Sequence, residues 1–149
     1  MVSDVDEAQA EQPQQPSEEQ LRELFARADM IRQQLMQADN QREMLSDLNR
    51  EAHQALTALE HLVGAKQGDE MLVPLGAGAF VQATLGDPNA VLTSIGSSLH
   101  TQATAADAVT RMTTRVASLD KAVAEANSET QRLSSELQQI NAYLEPYLR

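Results

Sequence analysis

Every glycine in this chain falls between Gly64 and Gly96. The prolines obey a similar rule: Pro13 and Pro16 precede Ser17, Pro74 and Pro88 lie inside the glycine stretch, and Pro146 stands near the end. Neither flank, from Ser17 to Val63 or from Thr104 to Glu145, contains a helix breaker. Such a chain divides into a tail, a long uninterrupted segment, a punctuated middle and a second long segment.

The two long segments share one period. Ser17 reads as an N-cap, with Gln20 three residues on to complete a capping box. Apolar residues then alternate spacings of three and four. The a positions are Leu21, Ala28, Leu35, Arg42, Asn49, Leu56 and Val63, and the d positions are Leu24, Ile31, Ala38, Leu45, Ala52 and Leu59. After a second cap at Thr104 the a positions are Val109, Val116, Val123, Thr130, Leu137 and Leu144. The matching d positions are Met112, Leu119, Ala126, Leu133, Ile140 and Tyr147. A 3.5-residue period sustained this long is the coiled-coil signature.

Two helices, 17–63 and 104–147, would span roughly 70 and 65 Å. Nearly equal lengths joined by one insert fold most simply as an antiparallel hairpin. Pairing Val63 with Val109 sets Leu21 and Leu24 beside Leu144 and Tyr147. It also sets Arg42 and Asn49 opposite Val123–Thr130, where a polar layer either fixes register or leaves a hydrated, flexible stretch.

In the middle the period changes. Glu70–Leu75 and Ala79–Leu85 flank Gly76-Ala-Gly78, and Ala90–Ile95 and Leu99–Gln102 flank Gly96-Ser-Ser98; each reads as a β-hairpin, so 70–102 holds two. Isolated hairpins are marginal in water and leave edges and apolar surface open. Leu72, Val73, Leu75, Phe80, Val81, Val91 and Ile95 are therefore candidates for burial against other subunits. The fold class expected is α+β, mainly α: a coiled-coil hairpin with two central β-hairpins, forming a single domain over 17–149. Residues 1–16, rich in Gln, Glu and Pro, read as a disordered acidic tail.

Charge and composition exclude several classes. Lys plus Arg number 11 against 22 Asp plus Glu, a formal charge of −11, with lysine only at Lys66 and Lys121. Nucleic acid and anionic membrane surfaces call for clustered cations, so neither is an expected partner, and the coiled-coil arm of an RNA-binding protein is disfavoured. No apolar run approaches a membrane span, and the acidic start lacks the regions of a signal peptide. With no cysteine there is neither a disulfide framework nor a thiolate metal site, which points to a reducing cytoplasm. The acid excess over so few lysines suggests a high-salt interior.

Catalytic chemistry has no foothold in this sequence. His53 and His61 are eight apart on one helix, His100 lies among the strands, and no third ligand is spaced to join them. The Gly76-Ala-Gly78 turn has no P-loop lysine. No enzyme, metal or cofactor is expected. The aromatic residues are sparse but concentrated: Phe25, Tyr143 and Tyr147 fall at one end of the helices, and Phe80 in the strands. With Leu21, Leu24, Leu144 and Leu148 they form a candidate binding tip, because Phe25, Tyr143 and Leu148 occupy e and g positions that are ordinarily polar. The same side chains could instead close a fraying coil end. Pro146 makes the last turn irregular. Met30, Met36 and Met44 lie off the seam at b and c positions, where ordinary surface is the simpler reading.

The middle segment, Met71-Leu-Val-Pro-Leu-Gly76, then Ala79-Phe-Val, Asp87-Pro-Asn-Ala-Val-Leu92 and Ile95-Gly96, resembles the alpha class of the prefoldin family, which carries four strands where the beta class carries two. Ser97-Ser98 stand where that family commonly has a small residue and glycine. The resemblance implies a heterohexamer of two alpha-class and four beta-class subunits. In it the hairpins form a β-barrel platform, and both chain termini lie at the free tips of the arms. It further implies capture of unfolded proteins between the tips and transfer to a group II chaperonin without ATP. The alternative is a prefoldin-like structural adaptor holding one fixed protein partner.

Overall fold

The structure, a computed structural model, describes residues 15–148, apart from the side chain of Ile95. The expected tail therefore lies almost wholly outside the described residues. Element order is α1 (Glu18–Leu62), β1 (Glu70–Gly76), β2 (Ala79–Thr84), β3 (Val91–Gly96), β4 (Leu99–Ala103), α2 (Ala105–Leu144) and a closing 3₁₀ turn (Glu145–Tyr147). Contacts divide the chain into two compact units. One joins the described residues up to Gln37 with those from Gln131, and the other is Ala38–Thr130. A seam of a and d side chains is a row of local contacts, which does not gather distant residues into one core.

Both helices begin on side-chain caps. Gln20 N–H donates to Ser17 Oγ at 3.2 Å, and Ser17 N–H donates back to Gln20 Oε1 at 2.9 Å. Asp107 N–H donates to Thr104 Oγ1 at 3.1 Å. Each bond satisfies an amide that the first helical turn leaves open. The heptad positions then divide by burial. Within α1 every a and d residue is buried or half-buried, and within α2 every a and d residue up to Leu144 is too. Ala28, Ile31, Leu133, Ile140 and Leu144 form the buried core of the first unit, and Ala52, Ala108 and Val116 belong to that of the second.

Two heptad positions are corrected. Val63 lies beyond the end of α1 and is exposed, and Tyr147 lies in the 3₁₀ turn, also exposed. The causes are local. Gly64 follows Val63 directly, and Pro146 occupies the 3₁₀ turn, which a proline near its start tolerates better than a helix interior.

The flanks of the seam give the helix direction within each unit. Arg27, a g position, bonds Glu136, also g; Arg32, an e position, donates to Asn141, also e. In the second unit His53 pairs with Asp120, e with e. Like flank facing like flank is the geometry of antiparallel helices, whereas parallel coils pair g with e.

Each β-hairpin closes by the same device. Ala77 and Gly78 (φ 49° and 78°) and Ser97 and Ser98 (φ 47° and 62°) are two-residue loops with both φ positive, the type I′ pattern that suits the twist of antiparallel strands. In each hairpin the register slips one residue before the turn, between Pro74 and Gly76 and between Ser94 and Gly96. The β1–β2 pair is extended by Gly68 N–H to Leu85 O and Leu85 N–H to Asp69 O, at 2.9 and 2.8 Å.

Candidate functional site

The first unit ends in an apolar surface. Leu21 and Leu24 are half-buried in the seam, while Phe25, Tyr143, Tyr147 and Leu148 stand exposed. Leu144 is only 2 % exposed. It supports this surface from beneath and offers nothing to a ligand, because its a position points it into the seam. Tyr143 and Tyr147, one turn apart, hold their rings at a 6.2 Å centroid distance and a 41° tilt, within the favourable range for an aromatic pair.

Phe25 does not join that pair. It lies on the e flank of α1, whereas Tyr143 lies on the g flank of α2, so the aromatic side chains that sequence reasoning grouped together occupy two sides of the seam. On the g side a shallow cavity of about 330 Å³ is lined by Pro16, Gln20, Glu23, Leu24, Arg27 and Tyr143. Beside it Arg27 reaches Glu136 with Nε at 3.2 Å and Nη2 at 2.5 Å, and Arg132 approaches the other oxygen of Glu136 at 3.5 Å. Sequence reasoning missed this charge cluster. The signal was present, since Arg27 and Glu136 have opposite charge at like flank positions.

The hairpins of the second unit carry the other candidate set. Leu72, Leu75, Phe80 and Val81 are exposed, and Val73 and Val91 half-buried; Ile95 has its place in β3 but its side chain lies outside the described residues. The register sorts them by face. Val73 opposes Val81 and Met71 opposes Ala83 on one face, while Leu72 opposes Gln82 and Pro74 opposes Phe80 on the other. One face of the first hairpin is therefore apolar and the other carries Leu72, Pro74 and Phe80 among Glu70, Gln82 and Thr84, and Leu92 and Leu99 add further exposed aliphatic surface on the second hairpin. Clustered exposure of this kind marks interaction surface.

The polar seam residues resolve differently from one another. Arg42 pairs with Asp39 of its own helix at 3.2 Å, so it carries no information about the partner helix. Asn49 donates across the seam to Asp120 Oδ1 at 2.7 Å, and His53 Nε2 lies 3.0 Å from the same oxygen. The hydrogen bond with His53, then that with Asn49, holds the Asp120 carboxyl below its ordinary range. Sequence pairing had set Asn49 opposite Val123–Thr130. The actual partner lies earlier on α2, because antiparallel helices set a positions against d positions, whereas pairing Val63 with Val109 sets a against a.

Among the described residues no group of three or more His, Cys, Asp or Glu is placed to hold a metal ion, and no helix is long and apolar enough to cross a membrane. The described geometry offers two exposed apolar surfaces, one on each unit, built on antiparallel coiled-coil helices and a pair of type I′ hairpins.

Comparison with known proteins identifies the class. Residues 31–146 match the family described as prefoldin subunit. The chain belongs to the prefoldin family. It is 26 % identical over 126 residues to prefoldin subunit alpha of Methanococcoides burtonii, covering 85 % of this chain and 91 % of that one. It is 30 % identical over 103 residues to prefoldin subunit alpha of Methanococcus maripaludis, covering 69 % of each. Among solved structures, the cryo-EM structure of filamentous PFD from Methanocaldococcus jannaschii aligns with a TM-score of 0.47 at 19 % identity, over 83 % of this chain and 97 % of that one.

Proposed function

We propose that this chain is the alpha-class subunit of a hexameric co-chaperone, two alpha-class with four beta-class subunits, which captures non-native polypeptides and passes them to a group II chaperonin without ATP. The observation that carries this reading is the exposure of Phe25, Tyr143, Tyr147 and Leu148 around a seam already closed by Leu144. If these side chains served only to finish the coil, packing would cover them. Left open, they give a broad apolar surface whose last turn, broken at Pro146, can adapt to partners of different shape. The hairpins supply the assembly role: with apolar side chains exposed on both faces of β1–β2, burial requires other subunits, and platform formation through Leu72, Val73, Leu75, Phe80, Val81, Val91 and Ile95 meets that need. The work is done in the cytoplasm and requires no cofactor.

The test is the double variant Phe25→Ser with Tyr147→Ser, assembled with a beta-class partner. It should keep the hydrodynamic mass of the wild-type particle and lose suppression of aggregation for several unrelated clients. Full protection by the variant would rule out tip capture. Loss of protection for one protein alone would favour a fixed-partner adaptor.

A further inference from the structure

The g-side cavity of the first unit holds an unequal distribution of charge. Glu23 and Arg27 are spaced i, i+4 with the acid on the N-terminal side, the order that favours an ion pair along one helix. Arg27 instead turns across the seam to Glu136, which also receives Arg132. Glu136 is half-buried where Glu23 is exposed, so the bond is better shielded from water there. Glu23 is left on the wall of the cavity with its natural partner engaged elsewhere. Tyr143, half exposed, lines the same cavity, as does Leu24, a half-buried d residue of the seam.

We propose that this cavity selects, within the client polypeptides of the reading above on which it rests, extended segments in which an aliphatic or aromatic residue adjoins a lysine or arginine. The apolar side chain lies against Leu24 and Tyr143. The neighbouring cation reaches the Glu23 carboxylate and can lie over the Tyr143 ring. Charge complementarity excludes the chain's own start as occupant: residues 1–14 include Asp4, Asp6, Glu7 and Glu11 and no Lys or Arg. The same reasoning separates this side from the e flank, which carries Phe25 and, two turns on, Arg32, already bonded to Asp29 and Asn141.

The experiment measures binding of fluorescent peptides to the full chain. The peptides share one Leu-Phe core, flanked by lysine, glutamine or glutamate. Wild type should bind the lysine peptide up to about fivefold more tightly than the glutamine peptide, the range of an exposed ion pair. Glu23→Gln should abolish that preference without weakening the glutamine peptide. Glu125→Gln, which removes one charge from α2 in the other unit, should retain it. Circular dichroism should show all three proteins equally helical. A preference that falls equally in both variants reflects overall charge and overturns the proposal. Apolar peptides bound with no preference at all also overturn it, while leaving capture intact. Failure of every peptide to bind overturns the capture reading as well.

Discussion

His53 Nε2 lies 3.0 Å from Asp120 Oδ1, joining α1 to α2 at matching e positions of the second unit. Asn49, one turn earlier in α1, donates to the same oxygen. A seam polar residue that bonds across the helices favours one register, because a shift of one heptad would exchange the Asp120 carboxylate for Thr113 or Asn127. Arg42, satisfied within its own helix, imposes no such preference.

The Asp120 bonds make stability depend on pH in a definite direction. Its folded value is lowered from about 3.8 by the His53 bond first and the Asn49 bond second. The folded state therefore binds this proton less readily than the unfolded state. The contribution is fully present above the ordinary carboxylate value and is lost as pH falls through the folded one. Urea midpoints of wild type and Asp120→Asn should differ at neutral pH and converge on acidification. A difference that stays constant down to about pH 2.5 would show that Asp120 is not the group responsible.

Thr130 should be a site of gain. Thr57, Thr110, Thr113 and Thr114 each donate a hydroxyl to the carbonyl one turn back. The buried Thr130 hydroxyl has no partner. Leaving a buried hydroxyl unsatisfied costs about 1–3 kcal/mol, and valine preserves the shape at an a position. Thr130→Val is expected to raise unfolding free energy by about 1 kcal/mol in urea titration. A loss of stability would mean that the hydroxyl finds a partner in solution.

The second hairpin turn can be relieved in the same way. Ser98 holds φ at 62°, where Gly78 of the first turn holds 78°. A side chain in this region costs about 1 kcal/mol relative to glycine, partly offset by the greater freedom of glycine when unfolded. Ser98→Gly should slow amide exchange across the β3–β4 ladder by a few-fold. Ser94→Gly, at a position whose φ is not positive and whose hydroxyl accepts from Gly96 N–H, should hasten it.

The charge of −11 sets a further expectation. Self-repulsion opposes the compact state and is screened by salt. Raising KCl from ~0.1 M to ~2 M should increase the urea midpoint of this chain more than that of a variant with surface Glu18, Glu43 and Glu125 changed to Gln. Equal responses would assign the effect to hydrophobic strengthening alone.

Much of the fold could be read from residues because its rules are local. The seam follows from a 3.5-residue spacing, the Ser17–Gln20 and Thr104 caps from side chains three residues from their amides, and the hairpin turns from glycine and small residues. Leu62 as the helix end was less visible, since Val63 continues the apolar pattern and only Gly64 argues against it. The register was displaced for another reason: Val63 and Val109 are both a positions, and antiparallel helices set a against d, which brings Asn49 to Asp120. The surface at the helix ends was legible as composition. Its division into a Phe25 flank and a Tyr143 flank was not, and neither was the diversion of Arg27 from Glu23. Both depend on which side chains meet across the seam.

Capture at the ends of the helices is tested most directly by contact. A photoreactive benzoylphenylalanine replacing Tyr143, in the assembled particle, should cross-link a client diluted from denaturant. The same group at Met44, exposed on α1 in the other unit, should cross-link little. Strong labelling at Tyr143 with weak labelling at Met44 is the expected result. Equal labelling at both positions, or labelling at Met44 alone, would contradict capture at the tip.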